Sequence, residues 1–163
     1  MVSCLNAPRS SVDALALPES TRVDHDGLRV LVVDDNSLYL SIVTRMLAKY
    51  FTTQVKYTYA TTSALGALES LSLHNYDLIL LDIDMPVLTG IETTIEIRNP
   101  YSRFRILASN RTIPIIAVTT NALEEHRRLY TEIGMNACVG KPVTLDELRG
   151  VLNTVTGITT TSQ

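Results

Sequence analysis

The chain switches repeatedly between short unbroken apolar runs and longer segments whose apolar positions recur every three or four residues. Leu28–Val33 opens the pattern, and Val30, Leu31, Val32 and Val33 leave it no polar alternation. A strand of that kind reads as buried on both faces. Asn36 or Ser37 is placed to cap a helix. In that helix Tyr39, Ile42, Val43, Met46, Leu47 and Tyr50 recur at i, i+3, i+4, i+7, i+8 and i+11, one apolar stripe. Residues 54–59 alternate instead, with Val55, Tyr57 and Tyr59 on one side, which predicts an edge strand with one wetter face. Ala64, Leu65, Leu68 and Leu71 mark a second helix. A buried run at 77–81 leads into a loop at 82–89 and a short helix from about Gly90 to Arg98. Residues 113–118 form the next strand, with Pro114 near its start, where a missing N–H is tolerable. Residues 121–133 predict a weakly amphipathic helix, and 137–139 a short fifth strand. Thr144-Leu145-Asp146-Glu147 has the form of a capping box. Behind it, Leu145, Leu148, Val151, Leu152 and Val155 give the last helix an apolar face.

Strands alternating with helices imply right-handed βαβ crossovers and a parallel sheet covered on both sides. The expected fold is α/β and flavodoxin-like, a (βα)5 three-layer sandwich whose five strands run in the order 2-1-3-4-5. That order puts the alternating second strand at an edge, in keeping with its pattern. Outside the alternation, residues 1–27 contain Pro8, Pro18 and several Ser and Asp without a sustained period, and residues 157–163 are Thr-rich. The expected organisation is a flexible N-terminal extension at 1–27, one domain at 28–156 and a flexible tail at 157–163.

Composition narrows the class. The 163 residues are 45% apolar and 19% charged, enough for one globular domain with a full core. A net charge of −3 and a pI of about 5.6 leave no cationic excess to track a phosphate backbone, so nucleic acid is not an expected partner. No stretch approaches the roughly 20 apolar residues that a membrane helix requires. Pro8, Arg9, Asp13 and Pro18 interrupt any signal-peptide pattern. Cys4 and Cys138 are the only cysteines, which argues against a disulfide framework and for a reducing, cytoplasmic setting.

The candidate chemistry lies where this topology would gather it. In an open parallel sheet, ligands sit beyond the carboxyl ends of the strands, near the switch point in strand order. Asp34 and Asp35 follow the first strand, Asp82 the third, Thr119 the fourth and Lys141 the fifth. Crowded carboxylates repel, and a hard divalent cation relieves them; an oxygen-only set favours Mg²⁺ over zinc or copper. A lysine and a hydroxyl could neutralise and bond further phosphoryl oxygens. Phosphoryl transfer requires mostly such positioning and charge stabilisation, and a carboxylate nucleophile yielding an aspartyl phosphate is established chemistry. Taken singly, each residue has a plainer reading: Asp34-Asp35 and Thr119 as helix caps, Asp82 as a loop aspartate, Lys141 as a surface lysine. As a set, they point to one site. His25, His74 and His126 are scattered and read as surface residues, and Cys138 as a small buried apolar residue. Glu124-Glu125-His126-Arg127-Arg128 reads as a solvated helix face.

Four motifs in order resemble response-regulator receiver domains: Asp34-Asp35 after a Val-rich strand, residues 76–86 through Gly90, residues 114–119, and Gly140-Lys141-Pro142. The resemblance spans roughly residues 28–156. It implies Asp82 as phosphoacceptor, Thr119 as switch hydroxyl and Lys141 as the phosphate-sensing cation, with Pro142 following in a cis peptide. It also implies Mg²⁺ held by Asp34, Asp35, Asp82 and the Asp84 backbone carbonyl. The expected function is acceptance of a phosphoryl group from a histidine kinase or histidine phosphotransfer protein, with output by conformational change to a downstream protein. Slow loss of that phosphate, rather than turnover of a substrate, is expected. A monomer or weak dimer is implied, without membrane attachment, in the cytoplasm or, were the source eukaryotic, the nucleus. No output segment follows Val155, which leaves a stand-alone regulator or the receiver portion of a longer chain. A second reading, an aspartate-nucleophile phosphohydrolase of the haloacid-dehalogenase type, rests on Asp82-x-Asp84. Its motif order is reversed, because Asp34-Asp35 precedes Asp82.

Two departures from the family pattern stand out. Three positions before the lysine, where an aromatic residue usually tracks the switch hydroxyl, the chain has Cys138. The segment 99–112, with Arg103, Arg105 and Arg111, is longer than expected between a helix and a strand. It reads as a solvated loop, or else as a partner-binding insertion.

Overall fold

A computed structural model describes residues 27–157; apart from Gly27 and Gly157, the two expected terminal extensions and Cys4 and His25 lie outside the described residues. The elements alternate as β1 (Leu28–Val33), α1 (Ser37–Tyr50), β2 (Val55–Thr61), α2 (Ala64–Leu73), β3 (Leu78–Asp82), α3 (Gly90–Arg98), β4 (Ile115–Thr119), α4 (Glu124–Glu132), β5 (Ala137–Gly140) and α5 (Leu145–Thr156). The five strands form one parallel sheet in the order β2-β1-β3-β4-β5. Every residue of β3 and β4 is buried, as unbroken apolar runs between two helical layers must be.

The two layers bury separate clusters. On one face, Leu40, Val43 and Leu47 of α1 pack with Leu148, Val151 and Leu152 of α5 over Val30, Val32, Leu80 and Val118. On the other, Ala67, Leu68 and Leu71 of α2, Ile97 of α3 and Tyr130 of α4 cover Leu31, Ile79, Leu81 and Ile115. The buried row of α1 therefore differs from the predicted stripe: Ile42 and Tyr50 stay about half exposed while Leu40 goes inside. β2 is the predicted edge, yet Tyr57 and Tyr59 remain 60% and 50% exposed, so its aromatic side is not core. Asn36 is the α1 cap, its side chain accepting from the Leu38 and Tyr39 amides, and Thr144 and Glu147 form the predicted capping box on α5.

The segment between α3 and β4 is solvated at Tyr101, Arg103 and Arg105 but anchored at its end. It ends in a short 3₁₀ turn (Ala108–Arg111), and its Asn110 is fully buried. Asn110 Nδ2 donates to the Leu71 and His74 carbonyls at 2.8 and 2.7 Å, and its Oδ1 accepts from the Tyr76 amide at 2.9 Å. Polar side chains that satisfy buried backbone groups in this way pin a segment to its scaffold. The anchors lie near the amino ends of β3 and β4, on the rim away from the expected site. Among the described residues, no helix is long and apolar enough to cross a membrane.

Candidate functional site

Strand register assembles the site. Val33 pairs with Leu81, so the next residues along these two parallel strands, Asp34 and Asp82, emerge side by side. Thr119 pairs with Gly140, and the Lys141 amide donates to the Thr119 carbonyl at 2.9 Å, which brings the fifth-strand lysine to the same rim. The Lys141–Pro142 peptide is cis, as expected. Gly90, first residue of α3, sits so close to β3 that a Cβ would lie 2.3 Å from the Asp82 carbonyl oxygen; only glycine lets this helix start against that strand end.

The convergence reaches atomic contact. Lys141 Nζ lies 2.6 Å from Asp34 Oδ2 and 2.9 Å from Asp82 Oδ1. Asp34 and Asp82 are 1% and 2% exposed, whereas Asp35 faces solvent. One carboxylate oxygen from each of Asp34, Asp35 and Asp82 falls within 4.8 Å of the others. Among the described residues, the buried Asp34 Oδ2 receives no hydrogen bond of ordinary geometry, so the lysine contact is what offsets its burial. Three carboxylates at one rim, two of them buried and one with an oxygen that no hydrogen bond among the described residues satisfies, are a donor set that fits a hard divalent cation such as Mg²⁺.

The electrostatics follow from this crowding. Burial pushes the Asp82 carboxyl above its ordinary range; the Lys141 ammonium pulls it back, and the Asp34 charge adds to the rise. For Lys141, burial works against the charge, but bonds to Asp34 and Asp82 outweigh it and hold the ammonium above its usual value. Backbone amides lock the carboxylates in place: Asn36 N donates to Asp34 Oδ1 at 2.9 Å and Asp84 N to Asp82 Oδ1 at 3.2 Å.

Thr119 is buried at the same rim, its hydroxyl engaged with Asn121 of the loop before α4. Its hydroxyl accepts from the Asn121 amide at 3.1 Å, and the Tyr130 phenol of α4 is close enough to interact with it electrostatically. Cys138 is half-buried beside Arg127 and Tyr130. The aromatic residue nearest the Thr119 hydroxyl is thus on α4, the helix predicted over 121–133. His126, expected at the surface, is partly buried, with its ring stacked 6.4 Å from that of Tyr130.

Tyr39 was placed in the α1 core stripe but belongs to the site. Lys141 Nζ sits 4.9 Å from its ring centroid, and its hydroxyl oxygen accepts from the Val143 amide at 3.4 Å. The available signal was topological: α1 and α5 share a face of the sheet, so the first turn of α1 must meet the loop that leads into α5.

Comparison with known proteins agrees with this geometry. A family model described as the response regulator receiver domain matches residues 30–153. The sensor histidine kinase RcsC of Escherichia coli (strain K12) is 34% identical over 141 residues, covering 85% of this chain and 14% of the kinase. The transcription factor SKN7 of Saccharomyces cerevisiae is 35% identical over 127 residues, 77% of this chain and 18% of that protein. The chain therefore spans less than a fifth of the length of either relative. Among solved structures, the receiver domain of the sensor histidine kinase PA1611 from Pseudomonas aeruginosa PAO1 has a magnesium ion coordinated in its active-site cleft. It superposes with a TM-score of 0.65 at 32% identity, over 80% of this chain and 98% of that one. The chain belongs to the response regulator receiver domain family, the phosphoacceptor modules of two-component systems.

Proposed function

We propose that Asp82 is the phosphoacceptor of this receiver, and that a phosphohistidine on a histidine kinase or histidine phosphotransfer protein is the donor. The observation that carries the reading is the Lys141 ammonium bridging Asp82 and Asp34 inside a cluster of three carboxylates. An Asp82 oxygen attacks the phosphorus in line. The phosphorus–nitrogen bond of the donor breaks, its electron pair returns to the imidazole, and an acyl phosphate forms on Asp82. Lys141 is already within ion-pair distance of the attacking carboxylate, so its charge is in place to offset that of the entering phosphoryl oxygens.

Asp34, Asp35 and Asp82, with the Asp84 backbone carbonyl, would hold Mg²⁺. When bound, that ion supplies positive charge to a pocket whose carboxylates and phosphoryl oxygens would otherwise repel. Phosphorylation raises the charge at Asp82 to roughly −2 near neutral pH. The Thr119 hydroxyl then turns its proton from the Asn121 carbonyl, its present acceptor at 3.4 Å, to a phosphoryl oxygen, and the loop leading into α4 follows. The output is a protein contact made by the shifted surface, selected from states the free protein already samples. A reducing cytoplasmic compartment fits the free thiol of Cys138.

The phosphohydrolase reading is weaker. It calls for a second acidic pair late in the chain, whereas the late residue at this pocket is the cation Lys141 and the acidic partner Asp34 comes from β1. Intact-mass and peptide-mapping mass spectrometry after acetyl phosphate treatment, with and without Mg²⁺, tests the assignment. A Mg²⁺-dependent label on Asp82 that is absent from Asp82→Asn is expected. An equal label on Asp82→Asn would sink it, and repeated turnover of phosphomonoesters would favour the hydrolase.

A further inference from the structure

We infer that Tyr39 is a positioning residue for Lys141, a cradle on α1 that aims the ammonium at the phosphoacceptor; this rests on the proposed role of Asp82 and Lys141. Two contacts from one side chain carry the inference. The ring face lies under the ammonium, with Nζ 4.9 Å from the centroid, a distance at which the ring quadrupole attracts a cation. The hydroxyl oxygen accepts from the Val143 amide, two residues beyond the lysine. Tyr39 therefore grips the turn at the lysine's charged end and again just past its backbone.

Its own position is fixed from the opposite direction. The Tyr39 amide donates to the Asn36 side chain at 3.2 Å, and the Asn36 amide donates to Asp34 Oδ1 at 2.9 Å. The contacts close a ring: Asp34 holds Asn36, Asn36 holds Tyr39, Tyr39 holds Lys141, and Lys141 returns to Asp34 Oδ2 and Asp82 Oδ1. A lysine side chain carries considerable rotamer freedom, and only some rotamers place its charge over two carboxylates at once. The ring of Tyr39 removes part of that freedom before any phosphoryl group arrives. Lys141 retains 17% side-chain exposure, so without this wall the ammonium has solvent to turn into.

The test is the initial rate of Asp82 labelling by acetyl phosphate and Mg²⁺ in the parent, Tyr39→Phe, Tyr39→Leu, Lys141→Ala and the double variant Tyr39→Leu/Lys141→Ala. Cation–π attraction at a partly desolvated site corresponds to a loss of about tenfold for Tyr39→Leu. Tyr39→Phe keeps the ring but loses the Val143 contact, so its rate is expected to fall between those of the parent and Tyr39→Leu. The decisive arm is the cycle: once Lys141 is gone, removing the Tyr39 ring should slow labelling no further. Equal rates for Tyr39→Leu and parent overturn the inference, as does a Tyr39→Leu loss that persists undiminished in the Lys141→Ala background. If Tyr39→Leu does not fold by circular dichroism, Tyr39→Met, closer in length and unbranched, takes its place in the same cycle. A parent that takes no label on Asp82 refutes the site assignment itself, and this inference with it; a labelled parent with an inert Tyr39 refutes the inference alone.

Discussion

Two tyrosines flank the carboxylate pocket, and the helices that carry them differ in how firmly they are held. Tyr39 stands on the first turn of α1, whose Leu40, Val43 and Leu47, with Phe51 beyond its end, are buried and whose cap is the Asn36 side chain. Tyr130 is the only buried residue of α4, and that helix has no side-chain cap at its N-terminus. Its far end is tied down instead: Arg98 donates to the Gly134 carbonyl from Nε and Nη2, at 3.0 and 2.9 Å. One tyrosine is mounted on the core and touches the lysine; the other sits on a helix held at one end, near the Thr119 hydroxyl. A receiver requires both kinds of support. Transfer needs groups fixed before the donor arrives, whereas signalling needs an element whose docking is weak enough for one new charge to bias.

The largest effect expected from this comparison is at Leu47. The side chain is fully buried between α1 and the sheet, and Leu47→Ala should lower global stability by about 3 kcal/mol, read as a shift of the urea midpoint at unchanged m-value. Leu129→Ala, on α4 and 40% exposed, should change it by less than about 0.5 kcal/mol. Comparable losses from the two would erase the distinction between a mounted and a loosely docked helix.

How far this arrangement could be read in advance depends on the range of the interactions involved. The strand runs, the capping box on α5 and the five site residues are local patterns, and the fold's crossover rule orders them; register then sets Asp34 beside Asp82 without further information. The contact of Tyr39 with Lys141 is hidden in the sequence because helical periodicity already accounts for that residue. In α1 two adjoining rows share Val43 and Leu47, and period alone does not choose between the row with Leu40 and the row with Ile42 and Tyr50; the angle of the helix on the sheet does. The 99–112 segment looked polar because its polar atoms are inventoried by type, whereas Asn110 is spent on three backbone groups distant in sequence.

Arg98 provides an intermediate effect that sharpens the comparison, because it holds the tied end of α4. Burial lowers its pKa to about 10, which leaves the guanidinium charged at neutral pH. It bonds the carbonyls of Arg111 at 2.7 Å and Ile113 at 2.8 Å as well as Gly134. Methionine would fill much of the space and donate nothing, so Arg98→Met should cost about 2 kcal/mol. Hydrogen exchange should rise most at residues 133–136 and around 111–113. Unchanged protection there, with the loss spread over the sheet, would show that α4 is not anchored through this residue.

The smallest effect is the most discriminating, because it changes a single atom. Tyr130→Phe keeps the buried ring that docks α4 and removes only the hydroxyl whose nearest polar influence is Thr119. One polar interaction of a hydroxyl is worth about 1 kcal/mol or less, so amides of α4 should exchange up to about fivefold faster while the urea midpoint hardly moves. Tyr39→Phe removes a hydroxyl on the mounted side, and α4 exchange should not respond to it. If Tyr130→Phe lowered global stability instead, α4 would be part of the cooperative core; if exchange in α4 stayed at the parent rate, the ring alone would be holding the helix. Only a local response to Tyr130, with none to Tyr39, fits a helix whose docking is adjusted at Thr119 independently of the machinery around Lys141.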